Sequence, residues 1–86
     1  MPQYKIYFVK SARKELEKLQ LKSASRIINK IELLSKSPRP KGCKKLQGPD
    51  DLWRIRIGDY RIIYSINDKK QLIEIMIVRH RSEAYK

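Results

Sequence analysis

Cysteine and histidine are scarce in this chain. Its 86 residues include one cysteine, Cys43, and one histidine, His80. A single cysteine cannot form an intramolecular disulfide, and one cysteine with one histidine cannot supply the ligands of a structural zinc site. The sequence therefore predicts a fold held by its core alone, and we expect neither a metal nor a small-molecule cofactor in its function.

Long apolar segments are also missing. The longest apolar runs have only a few residues, whereas a membrane-spanning helix needs about 20. The first residues lack the basic, apolar and small-residue order of a secretory signal peptide. Anionic lipid attracts basic proteins, but the chain has no long amphipathic segment with an apolar face of Trp, Phe and Leu. We therefore expect a cytoplasmic protein without a membrane partner.

Negative charge is in short supply. Nine Asp and Glu stand against 21 Lys and Arg, which gives a formal net charge of +12. Such an excess favours polyanionic partners, and nucleic acid is the usual one. The chain is short and has no linker-like stretch or internal repeat, so we expect one domain that spans residues 1–86.

Apolar spacing predicts a strand followed by two helices in the first half. Residues 4–9 alternate in apolar character, which is typical of a strand. Ser11 is the expected N-cap of a first helix, and a break near residues 21–23 separates it from a second. The prolines of residues 37–40 end the second helix, and the two helices should form a hairpin.

Alternation with a period of two predicts three strands in the second half, at residues 52–57, 60–66 and 72–78. The resulting order is β-α-α-β-β-β. This order indicates an α+β fold in which a mostly antiparallel sheet carries the two-helix hairpin on one face. The other face of the sheet is expected to be exposed and basic.

The predicted hairpin between the second and third strands fixes a register. A two-residue connection, Gly58-Asp59, suits a type II′ turn and places Arg56 opposite Arg61. Arg54 shares their face, because side chains alternate along a strand. Like charges directly opposite destabilise a sheet by roughly 0.2–1 kcal/mol, which a bound anion would offset. The pattern favours a phosphate site, although the side chains could instead extend into water or meet acidic neighbours.

The last strand contains a conflict. Simple alternation puts Arg79 in phase with residues that should face the core: Ile73, Ile75 and Ile77. Charged side chains are rarely buried without a partner, so this strand is expected to twist or end before Arg79. We interpret three further residues as core or edge residues and not as ligands: Trp53, Met76 and Cys43.

Three segments resemble motifs of the RelE/ParE toxin superfamily, and together they run over nearly the whole chain. They are Lys45-Leu46-Gln47-Gly48, similar to the family's K-L-x-G; Gly58-Asp59-Tyr60-Arg61-Ile62-Ile63-Tyr64, similar to its G-x-Y-R hairpin; and residues 78–85, similar to the closing segment of the RelE branch. The resemblance implies a single RelE-like toxin domain and a cognate antitoxin partner. RelE-like members enter the ribosomal A site and cut mRNA there, whereas ParE-like members block DNA gyrase.

Carried onto this chain, the resemblance implies these functional residues: Arg54, Arg56, Arg61, Arg79 and Tyr85. Arg54 and Arg56 stand where the best-known RelE pattern has lysines, and arginine holds its proton too tightly to serve as a general acid or base. Proton transfer must therefore come from elsewhere, and His80 joins Tyr85 as a candidate. We assign three further basic residues to RNA contact: Lys44, Lys45 and Arg81.

The predicted activity is ribosome-dependent, metal-independent cleavage of mRNA. RNA carries its own nucleophile, the 2′-hydroxyl, so the site needs only to orient it and to stabilise the phosphate, leaving a 2′,3′-cyclic phosphate. Three alternatives stay open: a ParE-like toxin that binds gyrase, a non-catalytic RNA-binding protein, and a toxin kept only for antitoxin binding.

Overall fold

The computed structural model describes residues 3–48 and 51–81. The elements in these ranges are β1 (Lys5–Phe8), α1 (Lys10–Glu17), α2 (Leu21–Leu34), β2 (Lys44–Lys45), β3 (Leu52–Ile57), β4 (Tyr60–Asn67) and β5 (Leu72–His80). The strands described form a five-stranded sheet in the order β1-β5-β4-β3-β2. β1 runs parallel to β5 and the other neighbours are antiparallel, so the predicted α+β fold is confirmed.

The strand β2 was not predicted. It pairs Lys44 with Arg54 and Lys45 with Trp53 and so adds an edge strand beside β3. Two residues are too few to show an alternating pattern, so no periodicity marks this strand in the sequence.

The helix starts differ from their predicted positions. Val9, and not Ser11, occupies the N-cap of α1, and Ser11 lies inside the first turn. The amide of Val9 donates to the carbonyl of Ile75 at 3.1 Å, so strand pairing holds the chain up to the residue where the helix begins. α2 begins at Leu21 with Gln20 at its N-cap, so the break between the helices comes earlier than expected.

The core lies between the two helices and one face of the sheet. Its buried members are Ala12, Ile27, Ile31 and Leu34 from the helices and Ile55, Ile57, Ile62, Tyr64, Ile66, Ile73, Ile75 and Val78 from the strands. Trp53 and Cys43 pack at its margin. The Tyr64 ring is fully buried, its hydroxyl donates to the Pro38 carbonyl at 2.7 Å, and burial strongly raises the pKa of that hydroxyl.

A bulge in β5 resolves the conflict at Arg79. Tyr64 pairs with Ile75 while its neighbour Ile63 pairs with Ile77, so the register passes over Met76. The extra residue reverses the alternation of the strand. After the bulge, Val78 is the buried residue and Arg79 turns to the other face.

A polar cluster fastens the end of the sheet remote from the β3–β4 turn. We call Tyr4, Arg39, Trp53 and Asp68 the Asp68 cluster. The Tyr4 hydroxyl donates to Asp68 at 2.6 Å, and the two terminal nitrogens of Arg39 donate to the Asp68 carboxylate at 3.0 and 3.3 Å. The Arg39 guanidinium also lies 5.0 Å from the centre of the Trp53 ring. These hydrogen bonds lower the pKa of Asp68, and the bond from Arg39 has the largest effect.

The longer helix, α2, has 14 residues. No helix in the described part of the chain is long and apolar enough to cross a membrane.

Candidate functional site

Three arginines form a continuous row across the sheet. Arg56 pairs with Arg61 between β3 and β4, and Arg61 pairs with Arg79 between β4 and β5. Directly paired residues share a face and have Cα atoms only about 4.5–5.5 Å apart. Their strand neighbours Ile55, Ile57, Ile62 and Val78 are buried under the helices, so this arginine row lies on the opposite face. Arg56 and Arg79 are exposed, and Arg61 is half-buried.

A second basic pair lies beside the arginine row. Arg54 is two residues before Arg56 on β3 and therefore shares its face, at a spacing of about 7 Å. Lys44 pairs with Arg54 and joins the same face. Lys45 pairs with Trp53, which places it on the helix side of the sheet, and its ammonium lies 3.7 Å from the carboxylate of Asp51. The structure thus brings Lys44, but not Lys45, to the arginine face.

The β3–β4 turn forms one wall of a cleft beside the arginine row. Gly58 has φ +59°, and Asp59 is not among the described residues with positive φ, which matches the predicted type II′ turn. The backbone amide of Arg81 donates to the carbonyl of Asp59 at 2.6 Å. A cleft of about 240 Å³ opens here, lined by Arg56, Gly58, Asp59, Tyr60, Arg61 and Arg81. Arg81 therefore lies with the arginines.

The two candidates for proton transfer are placed differently. His80 pairs with Tyr60, and the two rings meet edge to face with centres 5.1 Å apart. Strand alternation places His80 on the side of the sheet away from Arg79, so it is not brought to the arginine row. Tyr85 lies outside the described residues.

Sequence reasoning missed two residues at the turn. Asp59 lines the cleft with the arginines, although only its place in the β3–β4 turn was predicted. Arg26 of α2 lies over Gly58, since a side-chain carbon added at this glycine would come within 3.5 Å of the Arg26 guanidinium. Asp59 lies in the turn between two arginines that face each other, and this position could have indicated its place beside them. No local sequence pattern indicates that Arg26 packs against the turn, because that contact joins a helix to a distant hairpin.

The electrostatics of this face favour an anion. Each cross-strand pair of like charges destabilises the sheet by roughly 0.2–1 kcal/mol, and guanidinium groups bind phosphate oxygens through paired hydrogen bonds. Among residues 3–48 and 51–81, no group of three or more His, Cys, Asp or Glu residues is arranged to hold a metal ion. The guanidinium groups of this face can stabilise negative charge as fixed cations.

Comparison with known protein families identifies the chain. A family model described as the ParE toxin of the type II toxin-antitoxin system parDE matches residues 6–85. The chain belongs to the RelE/ParE toxin superfamily.

Individual relatives place this toxin in the RelE-like branch. A candidate toxin named RelE1 from Methanocaldococcus jannaschii is 32% identical over 80 residues, covering 90% of this chain and 89% of that protein. The toxin in the archaeal RelE-RelB complex of Pyrococcus horikoshii is 34% identical with a TM-score of 0.82, over 92% of this chain and 96% of that one. The isolated RelE toxin of E. coli is 30% identical with a TM-score of 0.79, over 95% and 90% of the two chains.

Proposed function

We propose that this RelE-like toxin cuts mRNA in the ribosomal A site through attack of the 2′-hydroxyl on the adjacent phosphate. The observation that carries the proposal is the arginine row, in which Arg56, Arg61 and Arg79 lie side by side on the sheet face away from the helices. Such a row is unfavourable by itself and becomes favourable when an anion binds. RNA supplies both the anion and the nucleophile.

In the proposed reaction, Arg61 holds the scissile phosphate from the centre of the row. Arg56 and Arg79 flank it and stabilise the charge that gathers on the phosphate oxygens in the transition state. Arg54 lies about 7 Å further along β3, and Lys44 pairs with it from β2. These two side chains bind a neighbouring phosphate. Arg81 lines the same cleft. Lys45 contacts RNA only if the RNA strand passes around the edge of the sheet at β2.

Proton movement is assigned to groups other than arginine, because a guanidinium group stays protonated. Tyr85 keeps the role that the family resemblance implies, either in proton transfer or in stacking on a base. His80 contributes only if its ring leaves Tyr60 and turns to the other face. Neither role requires a metal or a cofactor.

The proposed partners are a cognate antitoxin and the ribosome with its mRNA. The Pyrococcus horikoshii relative was solved in a RelE-RelB complex, and a further similar structure is the toxin-antitoxin complex RelBE2 of Mycobacterium tuberculosis. An antitoxin that neutralises a chain with net charge +12 should present acidic side chains. We place the protein in the cytoplasm, where both partners are found.

The test is a translation extract supplied with the purified protein. Codon-positioned cuts with 2′,3′-cyclic phosphate ends are expected, and Arg61→Ala should slow cutting roughly 10²–10³-fold because a transition-state contact is lost. Arg13→Ala is the matched control: it removes the same charge from α1, where Arg13 is exposed beside Glu17.

A gyrase supercoiling assay runs in parallel, because the matching family model describes ParE toxins. Cuts without gyrase inhibition support the proposal. Gyrase inhibition without cuts, other end groups, or an Arg61→Ala variant that cuts at the rate of Arg13→Ala would contradict it.

A further inference from the structure

We propose that the carboxylate of Asp59 is the base that accepts the proton of the attacking 2′-hydroxyl. This inference rests on the proposed cleavage activity and fills the gap left by Arg54 and Arg56, which cannot act as bases. Asp59 sits at the tip of the β3–β4 hairpin, next to the strand positions that hold the arginine row.

The first observation is the composition of the cleft. Among the described residues that line it, three are arginines, one is glycine, one is Tyr60, and Asp59 is the carboxylate. A side-chain carboxylate is ionised at neutral pH and accepts hydrogen bonds, whereas a neutral tyrosine hydroxyl must first lose its own proton. Asp59 is therefore the group lining this cleft that can take a proton without losing one first.

The second observation is how the position of Asp59 is fixed. Its backbone carbonyl accepts the amide hydrogen of Arg81 at 2.6 Å, which joins the turn to the end of β5. On the other side of the turn, the Arg26 guanidinium packs over Gly58. A base must be held within hydrogen-bonding reach of the proton it removes, and these contacts hold the turn beside the phosphate-binding arginines.

The charged groups around Asp59 come from three sides. Arg56 and Arg61 face the cleft from β3 and β4, Arg81 faces it from the end of β5, and Arg26 lines a smaller cleft on the helix side that Asp59 also borders. The arginines can bind the phosphate while the carboxylate takes the proton. This division places a base and fixed cations together, as transfer of a phosphoryl group requires.

The proposed step conserves atoms and charge. Asp59 takes the proton from the 2′-oxygen, whose electron pair forms the new bond to phosphorus. The bond from phosphorus to the 5′-oxygen breaks and leaves its electron pair on that oxygen, which takes a proton from water. The resulting hydroxide removes the proton from Asp59, so the products are a 2′,3′-cyclic phosphate and a 5′-hydroxyl.

The experiment measures single-turnover cutting of ribosomes programmed with a defined mRNA at saturating toxin. The variants are Asp59→Asn, Asp59→Glu and Arg61→Ala, with Glu17→Gln as the control that makes the same change in charge on an exposed part of α1. Asparagine suits the turn as well as aspartate, so the fold should persist, which a circular dichroism melt checks. Asp59→Asn should cut roughly 10²–10⁴-fold more slowly, with unchanged ribosome binding.

The pH profile separates a base from a structural residue. Without its base, Asp59→Asn must rely on hydroxide, so its rate should rise about tenfold per pH unit between pH 6.5 and 8.5, more steeply than the wild-type rate. Asp59→Glu should recover part of the rate. An Asp59→Asn variant with the rate and pH profile of Glu17→Gln, or one that loses only ribosome binding, overturns the inference. A wild-type protein that does not cut overturns the proposed function itself.

Discussion

The arginine row should make the folded protein less stable than it could be. Arg56 and Arg79 each lie directly opposite Arg61, so the double variant Arg56→Gln/Arg79→Gln removes two contacts between like charges. At roughly 0.2–1 kcal/mol for each contact, the free energy of unfolding should increase by about 0.4–2 kcal/mol. For a chain of this size, that gain corresponds to a rise in melting temperature of roughly 2–16 °C.

The assay is urea unfolding of the free protein at low and high salt. The gain should be largest at low ionic strength and shrink in 1 M salt, where the screening length falls to about 3 Å. Arg13→Gln is the control: it removes a favourable pair with Glu17, whose oxygen lies 3.6 Å away, and should lower stability slightly. A double variant that is less stable than wild type, or whose gain does not change with salt, would refute the repulsion on which the phosphate site depends.

Three further predictions concern the scaffold around the site. Tyr64→Phe should destabilise the fold by roughly 1–3 kcal/mol in urea titrations, because the Pro38 carbonyl loses the buried hydroxyl that donates to it at 2.7 Å. Gly58→Ala should destabilise the fold by roughly 1–2 kcal/mol, because φ +59° disfavours any residue with a β-carbon. The same variant should slow cutting by displacing the turn. An unchanged melting temperature would contradict the stability prediction. Because its pKa is lowered, ionised Asp68 stabilises the fold above the ordinary carboxyl pKa, and this stabilisation is lost as pH falls through the lower folded value. Asp68→Asn should therefore show a smaller fall in the urea midpoint between pH 6 and pH 2 than the wild-type protein. An equal fall in the two proteins would count against this prediction.

The sequence was most informative where local rules were sufficient. The Gly58-Asp59 connection fixed the hairpin register, because a two-residue turn leaves one pairing for the strands that flank it. Arg56 opposite Arg61 followed directly. The buried stripe of α2, with Ile27 and Ile31, was equally visible from helical spacing.

Features that depend on tertiary pairing were not visible. Residues 72–78 are almost continuously apolar, so nothing in them marks Met76 as the bulge that turns Arg79 outward. The phase of His80 depends on the same bulge, which is why its position away from the arginines was missed. The bond between Tyr4 and Asp68 joins residues 64 positions apart, and no local pattern reports such a contact.

The bulge at Met76 also predicts which single-residue deletion this chain can tolerate. Omitting Met76 would join Ile75 directly to Ile77, and the partners that these two residues already have, Tyr64 and Ile63, are themselves adjacent. Both halves of the strand would then keep their present orientation. Loss of Ile73 would instead bring one of its neighbours, Leu72 or Glu74, into the position that pairs with Ile66 and turn part of the strand to the other face. A variant of this chain that lacks Met76 should therefore still present Arg79 to the same side of the sheet.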